Sequence, residues 1–140
     1  GLHDGLPSTA ILEPKKDPVG YWTLGYGSRH DRDGKEVVSS TRPITLQEAT
    51  ELLIRDVGIA GSFINQVVQC ELTQNQFDAL CSLIFNIGTG NFERSKLLKA
   101  IKSGAMVQRI HFTAWRKAKG QILPGLEARR NKEYDLYVSP

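Results

Sequence analysis

A change in sequence character at Thr45 constrains the fold of this chain more than any other feature. Residues 17–41 are rich in glycine, aromatic and β-branched residues, and Asp33-Gly34 is a turn signal between two strand-like runs. From Thr45 onward, apolar residues recur at helical spacing. The order of the two patterns, without βαβ alternation, predicts an α+β fold. We expect a small β-hairpin or meander lobe at about 12–42 and a larger, all-helical lobe at about 45–138.

Capping boxes mark the starts of two helices. Thr45 with Glu48 opens a long amphipathic helix. Thr73 with Gln76 opens a second helix, which ends at Gly88 and is the most hydrophobic segment of the chain, so we expect it to be the central core helix. The spacing of apolar residues predicts three further helical stretches, at Ser95–Ser103, Gln108–Ala118 and Pro124–Tyr137.

Length and charge exclude several protein classes. At 140 residues the chain is predicted to form a single domain, 1–140. No apolar run approaches the roughly 20 residues that cross a bilayer, and the N-terminus lacks a signal-peptide pattern. A net charge of +3 falls short of a nucleic-acid-binding signature. Cys70 and Cys81 form no metal-binding pattern, so we predict no metal and two buried thiols, with a disulfide between them as the alternative.

Asp17 and Thr23 are the first candidates for chemistry. Asp17 precedes a predicted turn and Thr23 lies on the strand after it, so both side chains would project from one side of the hairpin. At that spacing a carboxylate and a hydroxyl can hold and activate a water molecule. Asp-Pro is also a common turn opener, so a purely structural role stays open.

Three separated segments resemble the phage-type lysozymes of glycoside hydrolase family 24. DPVGYWTLGYG, from Asp17 to Gly27, is similar to the strand-turn-strand signature of that family. LTQNQFDALCSLIFNIG, from Leu72 to Gly88, is similar to its core helix, and Trp115 with the later ILPGLEARRNKEYDLY resembles its C-terminal region. The matches span roughly residues 17–137 in the family's order. The resemblance implies a lysozyme-like fold.

The resemblance also implies an activity. Members of this family hydrolyse the β-1,4 bond between N-acetylmuramic acid and N-acetylglucosamine in peptidoglycan, without a cofactor. Asp17 and Thr23 take the water-positioning role by this resemblance. A general acid on the other side of the bond completes an inverting arrangement, in which the two carboxyl groups lie roughly 6.5–9.5 Å apart.

The general acid departs from the family pattern. The family has a Glu-Gly pair before its catalytic Asp, and an ungapped alignment places Ser8 there, which cannot donate the proton. The segment His3-Asp4-Gly5-Leu6 resembles the family's run with Asp in place of Glu, so Asp4 is the predicted acid, with Glu13 as the alternative. If neither residue serves, the chain would be a lysozyme-like wall-binding protein with impaired or lost catalysis.

Substrate-binding residues follow from the same resemblance. Phe85 and Asn86 match a position that lines the family's cleft, and Tyr26 is a further candidate, although Phe85 and Tyr26 could instead serve packing. The family commonly has a His where Ser28 stands, and His30 either replaces that contact or is an exposed loop residue.

The expected partners are peptidoglycan glycan strands, with no nucleic acid and no stable membrane insertion. We expect a monomer that resides in the host cytoplasm before lysis and acts on the periplasmic cell wall. Near the C-terminus, basic residues form either a solvated helix face or a surface that attracts anionic envelope polymers. These residues are Arg116, Lys117, Lys119, Arg129, Arg130 and Lys132. A small nucleic-acid-binding domain is a weaker alternative, since it leaves Asp17 and Thr23 unexplained.

Overall fold

A computed structural model describes residues 11–140, with Ile11 described by its backbone alone. These residues fall into two compact units, 11–58 and 59–140. The first unit contains a β-hairpin and the second is mostly helical. The predicted α+β class, with a small β-rich region before a larger helical region, is therefore confirmed.

An antiparallel hairpin begins the first unit. Strand β1 (Ile11–Lys16) pairs with β2 (Trp22–Gly25), and Lys15 lies opposite Thr23. The register shifts between Ile11 and Lys15, and Pro14 lies within this irregular stretch. Proline has no N–H to donate to a ladder, so it suits an irregular edge. Because β1 ends at Lys16 and β2 begins at Trp22, the turn between them comprises residues 17–21 and begins with Asp17.

The predicted turn at Asp33-Gly34 is present, but its flanking strands are not. The Gly34 N–H donates to the Asp31 carbonyl at 3.0 Å, and the Asp31 carboxylate accepts from the backbone N–H of Asp33 and of Lys35, each at 2.9 Å. Beside this turn, His30 and Glu36 form only an isolated bridge. Local bonds from the Asp31 side chain satisfy backbone groups that a strand would otherwise pair.

Helix α1 (Leu46–Val67) begins with the predicted capping box. The Glu48 N–H donates to Thr45 Oγ1 at 3.1 Å, and the Thr45 N–H donates to Glu48 Oε1 at 3.2 Å. Ala49 and Leu52 are buried in the part of the helix that belongs to the first unit. Gly25, at the end of β2, lies against this part, since a Cβ built on it would stand 3.2 Å from Ala49 Cβ.

Helix α2 (Gln74–Ile87) is central to the second unit, as its sequence predicts. It opens with the Thr73–Gln76 capping box, ends at Gly88 and is buried continuously from Ala79 to Ile84. Its chief packing partner is α6 (Pro124–Tyr137). The remaining elements are α3 (Thr89–Glu93), α4 (Lys96–Ser103), α5 (Arg109–Thr113), β3 (Lys117–Ala118) and β4 (Gln121–Ile122).

The predicted helix at 108–118 is wrong beyond Thr113. Residues 117–118 instead pair with 121–122 in a short hairpin. Lys119 and Gly120 form its turn with φ of 52° and 79°, a pair of left-handed conformations typical of tight two-residue turns. The helix therefore ends early because the chain reverses at this glycine. Helix α3 was also not predicted.

The two cysteines differ in environment. Both thiols are free; Cys81 is buried in α2, whereas Cys70 is exposed. The prediction of two buried thiols is therefore wrong for Cys70. Within residues 11–140, none of the helices combines the length and apolar character that a membrane crossing requires.

Candidate active site

The carboxylate of Asp17 is held by the backbone of its own turn. Asp17 follows β1 directly, and its Oδ1 accepts the N–H groups of Val19 at 3.0 Å, Gly20 at 2.8 Å and Tyr21 at 2.8 Å. Hydrogen bonds to an ionised carboxylate are stronger than neutral ones, so three donors on one oxygen fix the orientation of the group. All three bonds go to Oδ1. The turn thereby fixes the direction of the second oxygen, Oδ2.

Thr23 lies on β2 in the same hairpin. Its side chain is buried, with 4% of the residue exposed, and its hydroxyl donates to the Lys15 carbonyl at 3.2 Å across the strand pair. A hydroxyl has one hydrogen and two lone pairs. While its hydrogen points to Lys15, the Thr23 oxygen can accept a hydrogen bond from a water.

The loop after β2 is fastened to α1. Ser28, which is buried, donates its hydroxyl hydrogen to Asp56 Oδ2 at 2.6 Å. Arg55 donates to Asp56 Oδ1 at 2.9 Å and to the backbone carbonyls of His30, at 2.9 Å, and Asp31. The His30 side chain is exposed, which matches its interpretation as a loop residue.

The aromatic residues of the hairpin differ in exposure. Tyr26 is half-buried, whereas Tyr21 is 45% exposed and carries the Arg29 guanidinium 3.8 Å from its ring centroid. Such a cation over an aromatic face is attracted by the ring quadrupole. The structure leaves the substrate-binding role of Tyr26 a prediction.

In the second unit, Phe85 and Asn86 lie in the last turn of α2 and are both half-buried. Asn86 Oδ1 accepts a hydrogen bond from Arg130 Nη1 of α6 at 2.8 Å. Asp17, Thr23 and Tyr26 thus belong to the first unit, and Phe85 and Asn86 to the second.

Behind Asn86 lies a buried cluster of charged and polar side chains, the Arg130 cluster, which consists of Ser82, Arg129, Arg130 and Glu133. Arg130 Nη2 donates to Glu133 Oε2 at 3.0 Å, and Ser82 Oγ donates to the same oxygen at 2.5 Å. Arg130 Nε lies 2.6 Å from Glu133 Oε1, but this contact lacks hydrogen-bond alignment, so the Nη2 bond supplies the directional part of the pair. Arg129 Nε approaches Glu133 Oε2 at 3.6 Å.

Burial shifts the pKa of every charged group in the Arg130 cluster. Desolvation lowers the pKa of Arg130 and lowers that of Arg129 to about 10, while attraction to Glu133 opposes both shifts. Desolvation raises the pKa of Glu133, and the charge of Arg130 opposes that shift. A pKa of about 10 leaves Arg129 protonated at neutral pH. Such a cluster is costly to break, because one remaining charge would be buried without its partner.

The interpretation of the C-terminal basic residues as a solvated helix face is wrong for Arg129 and Arg130. Arg130 is 0% exposed, whereas Lys117, Lys119 and Lys132 are exposed. A signal for this burial was present in the sequence. Arg130, Glu133 and Tyr137 recur at i, i+3 and i+7, the spacing of a core-facing stripe, and all three are buried.

Of the two candidates for the general acid, Glu13 lies within the described residues and Asp4 does not. Glu13 lies on β1 and is exposed, as expected of a solvated charge. Asp4 lies outside the described residues, so its role stays a prediction.

Comparison with known proteins decides the family. The family model described as phage lysozyme matches residues 8–133. The chain belongs to the phage lysozyme family. An endolysin from Acyrthosiphon pisum secondary endosymbiont phage 1 is 40% identical over 129 residues, which cover 86% of this chain and 82% of that relative. The endolysin of Salmonella phage P22 is 36% identical over 129 residues, covering 91% of this chain and 87% of its own length.

Solved structures agree with this phage lysozyme assignment. The endolysin from Escherichia coli O157:H7 phage FAHEc1 has a TM-score of 0.75 and 32% identity, and the match covers 93% of this chain and 84% of that one. The muramidase domain of SpmX from Asticaccaulis excentricus has a TM-score of 0.74 and 32% identity, covering 94% and 88%. The lysozyme-like fold predicted from the sequence is confirmed.

Proposed function

We propose that this phage lysozyme is an endolysin of glycoside hydrolase family 24. It would hydrolyse the β-1,4 bond between N-acetylmuramic acid and N-acetylglucosamine in peptidoglycan. The main support is the Asp17 turn, in which three backbone N–H groups fix Oδ1, together with the Thr23 hydroxyl of the same hairpin, whose hydrogen points to Lys15. The names of the relatives, endolysin and muramidase, point to the same reaction class.

In the proposed reaction, Asp17 acts as general base and Thr23 positions the water. The water oxygen attacks the anomeric carbon of N-acetylmuramic acid while Oδ2 of Asp17 accepts one of its protons. The bond to the glycosidic oxygen breaks on the opposite face of the ring, and that oxygen takes a proton from the general acid. The products are a reducing N-acetylmuramic acid with inverted configuration and an N-acetylglucosamine with a free 4-hydroxyl. Exchange with solvent restores both carboxyl groups.

We propose Asp4 as the general acid. Its carboxyl group must hold a proton near neutral pH, which requires burial or a neighbouring negative charge. Glu13 is the alternative, although its exposed position on β1 gives it no such environment.

The proposed partners are the glycan strands of the cell wall. Tyr26, Phe85 and Asn86 would contact the sugars. We further propose a monomeric single domain that needs no cofactor and has no nucleic-acid partner. It would be held in the host cytoplasm before lysis and act on the periplasmic wall.

Mass spectrometry of soluble products from purified peptidoglycan tests this function. The native protein should release muropeptides with reducing N-acetylmuramic acid ends, and Asp4→Ala should abolish their release. Unchanged products from Asp4→Ala, together with loss in Glu13→Gln, would move the acid to Glu13. A folded native protein that pellets with sacculi and releases nothing would replace hydrolysis with wall binding alone.

The role of Thr23 has its own pair of variants. Thr23→Ser keeps the hydroxyl and should retain most of the activity, whereas Thr23→Val keeps the shape and should lose it. Similar turnover in both variants would remove Thr23 from the water site.

A further inference from the structure

The hydrogen bond between Arg130 and Asn86 joins the buried Arg130 cluster to a proposed sugar-binding residue. Arg130 Nη1 donates to Asn86 Oδ1 at 2.8 Å. A side-chain amide has an acceptor oxygen on one side and two donor hydrogens on the other. When Arg130 holds the oxygen, it also determines which way the NH₂ group points. Asn86 is half-buried and Arg130 is fully buried, so this hydrogen bond reaches Asn86 from inside the protein.

The guanidinium of Arg130 is itself held in place. Glu133 contacts it at Nη2 and Nε, and Ser82 on α2 bonds to the same Glu133 carboxylate. The planar fork of Arg lets one group bind Glu133 and Asn86 at once, whereas the ammonium of Lys is a compact point charge on a flexible stem. Lysine at this position would therefore keep the charge and lose the double contact.

The position of the cluster also favours positive charge. The last turn of α2 carries no basic residue, and Arg129 of α6 donates to the Ser82 carbonyl of α2 at 3.4 Å. The C-terminal end of a helix has a partial negative charge, which cations stabilise. Arg130 supplies positive charge there because it bonds to the Asn86 side chain in the last turn of α2, whereas the carbonyl that Arg129 contacts lies before that turn.

We propose that Arg130 is a positioning residue for glycan binding, which holds the oxygen of the Asn86 amide and so fixes the orientation in which this side chain contacts an N-acetylated sugar. This inference rests on the proposed function, because it takes Asn86 as a sugar contact. Arg130 acts through Asn86 and does not itself touch the glycan. Its substitution should therefore change affinity for the sugar only while Asn86 is present.

Nuclear magnetic resonance of the Asn86 side-chain amide provides the test, with a soluble oligosaccharide of N-acetylglucosamine as the probe. The amide signal should shift on titration of the native protein. Arg130→Lys should move that signal in the free protein and raise the Kd roughly five- to tenfold, the worth of about one hydrogen bond. Asn86→Ala should raise the Kd by a similar factor, and the double variant by no more than either single change.

Arg129→Lys is the matched control, since Arg129 lies in the same helix and contacts Ser82 and Glu133. It should change the Kd less than twofold even if it lowers the Tm. If Arg130→Lys does not fold, the joint replacement Arg130→Met with Glu133→Leu removes both members of the Arg130–Glu133 ion pair, which proteins often tolerate, while Arg129 keeps its hydrogen bond to the Ser82 carbonyl. It should give the same rise in Kd.

Three results would overturn the inference. These are an Asn86 signal that ignores the oligosaccharide, Kd changes that multiply in the double variant, and equal effects of Arg129→Lys and Arg130→Lys. The proposed function fails separately, if the native protein binds the oligosaccharide but releases no muropeptides from peptidoglycan.

Discussion

Asp17 and Glu133 are two carboxylates that this protein holds in opposite ways. Asp17 is held by three backbone N–H groups within four residues of itself, and it is half-exposed in the first unit. Glu133 is buried in the second unit and is held by side chains, including Ser82, which lies 51 positions away in the chain. The first arrangement fixes the orientation of the carboxylate that we propose as general base, and the second fixes helices α2 and α6 against each other. Loss of charge should therefore cost activity at Asp17 and stability at Glu133.

Asp17→Asn should produce the largest effect on activity. Asparagine keeps an Oδ1 that can accept the three backbone N–H groups, so the turn should stay intact. Its NH₂ group replaces Oδ2 and cannot accept a proton from water, and loss of a general base costs roughly 10²–10⁴-fold. Turnover of purified sacculi measures the change, with circular dichroism to check the fold. Asp135→Asn, which replaces an exposed carboxylate on α6, is the control and should keep full activity. A rate for Asp17→Asn close to that of this control would remove Asp17 from the chemistry.

Glu133→Gln should produce the largest loss of stability. The substitution keeps the size of the side chain but leaves Arg130 charged and buried without an anionic partner, which costs about 3–5 kcal/mol. Urea denaturation gives the free energy of unfolding. Asp135→Asn serves as the control in the same helix, since its ion pair with Arg109 is exposed and should be worth about 0–1 kcal/mol. Equal, small losses in both variants would show that the buried cluster does not stabilise the unit.

Gly25→Ala tests whether close packing on α1 fixes the hairpin that carries Asp17. Gly25 has φ of +64°, and an added Cβ would meet Ala49 Cβ at 3.2 Å. We expect a loss of roughly 2–4 kcal/mol, from the left-handed conformation and the contact together. Gly34→Ala, at φ of +80° with nothing within 4 Å, should lose only about 1–2 kcal/mol. The difference between the losses of unfolding free energy in the two variants measures the cost of the contact with Ala49. Equal losses would mean that the hairpin moves away from α1 without cost.

Thiol modification of the two cysteines is the smallest effect that we predict. It tests whether solvent reaches the interior next to the Arg130 cluster. Cys81 neighbours Ser82 in α2, and burial, reinforced by Asp78, raises the pKa of its thiol to about 11. At pH 8 a thiol reagent should modify Cys70 quickly and Cys81 only after denaturation. Fast modification of both thiols in the folded protein would contradict the buried environment.

The raised pKa of Cys81 also predicts a pH dependence of stability. Because the pKa of this thiol in the folded state lies above its ordinary value of 9.0, the folded state holds the proton more tightly. The resulting stabilisation is complete below pH 9 and is lost as the pH rises from about 9 to about 11. The contribution of the Cys81 thiol is measured by comparing the unfolding free energies of the native protein and of Cys81→Ala over this pH range. The same pH slope in both proteins would exclude this contribution.

What the sequence could predict follows from the range of the interactions. The capping boxes at Thr45 and Thr73 and the position of Asp17 before a turn depend on residues a few positions apart, so local patterns were sufficient. The short hairpin at 117–122 reverses at Lys119-Gly120. The prediction of a helix at 108–118 rested on the spacing of apolar residues and did not take this glycine into account. The burial of Arg130 depends on Ser82, Asn86 and Glu133 together, and charge alone suggested a solvated face. Only the i, i+3, i+7 spacing of Arg130, Glu133 and Tyr137 indicated otherwise.

The anomeric configuration of the first product tests the role of Asp17 and Thr23 most directly. A water held by these two residues must attack the face of the sugar opposite the leaving oxygen, so hydrolysis should invert the β-linked centre. Proton magnetic resonance, recorded before mutarotation, should therefore show the α-anomer of the new reducing end, and Asp17→Asn should remove it. An initial β-anomer, or an anhydro product without a reducing end, would contradict the placement of the water between Asp17 and Thr23.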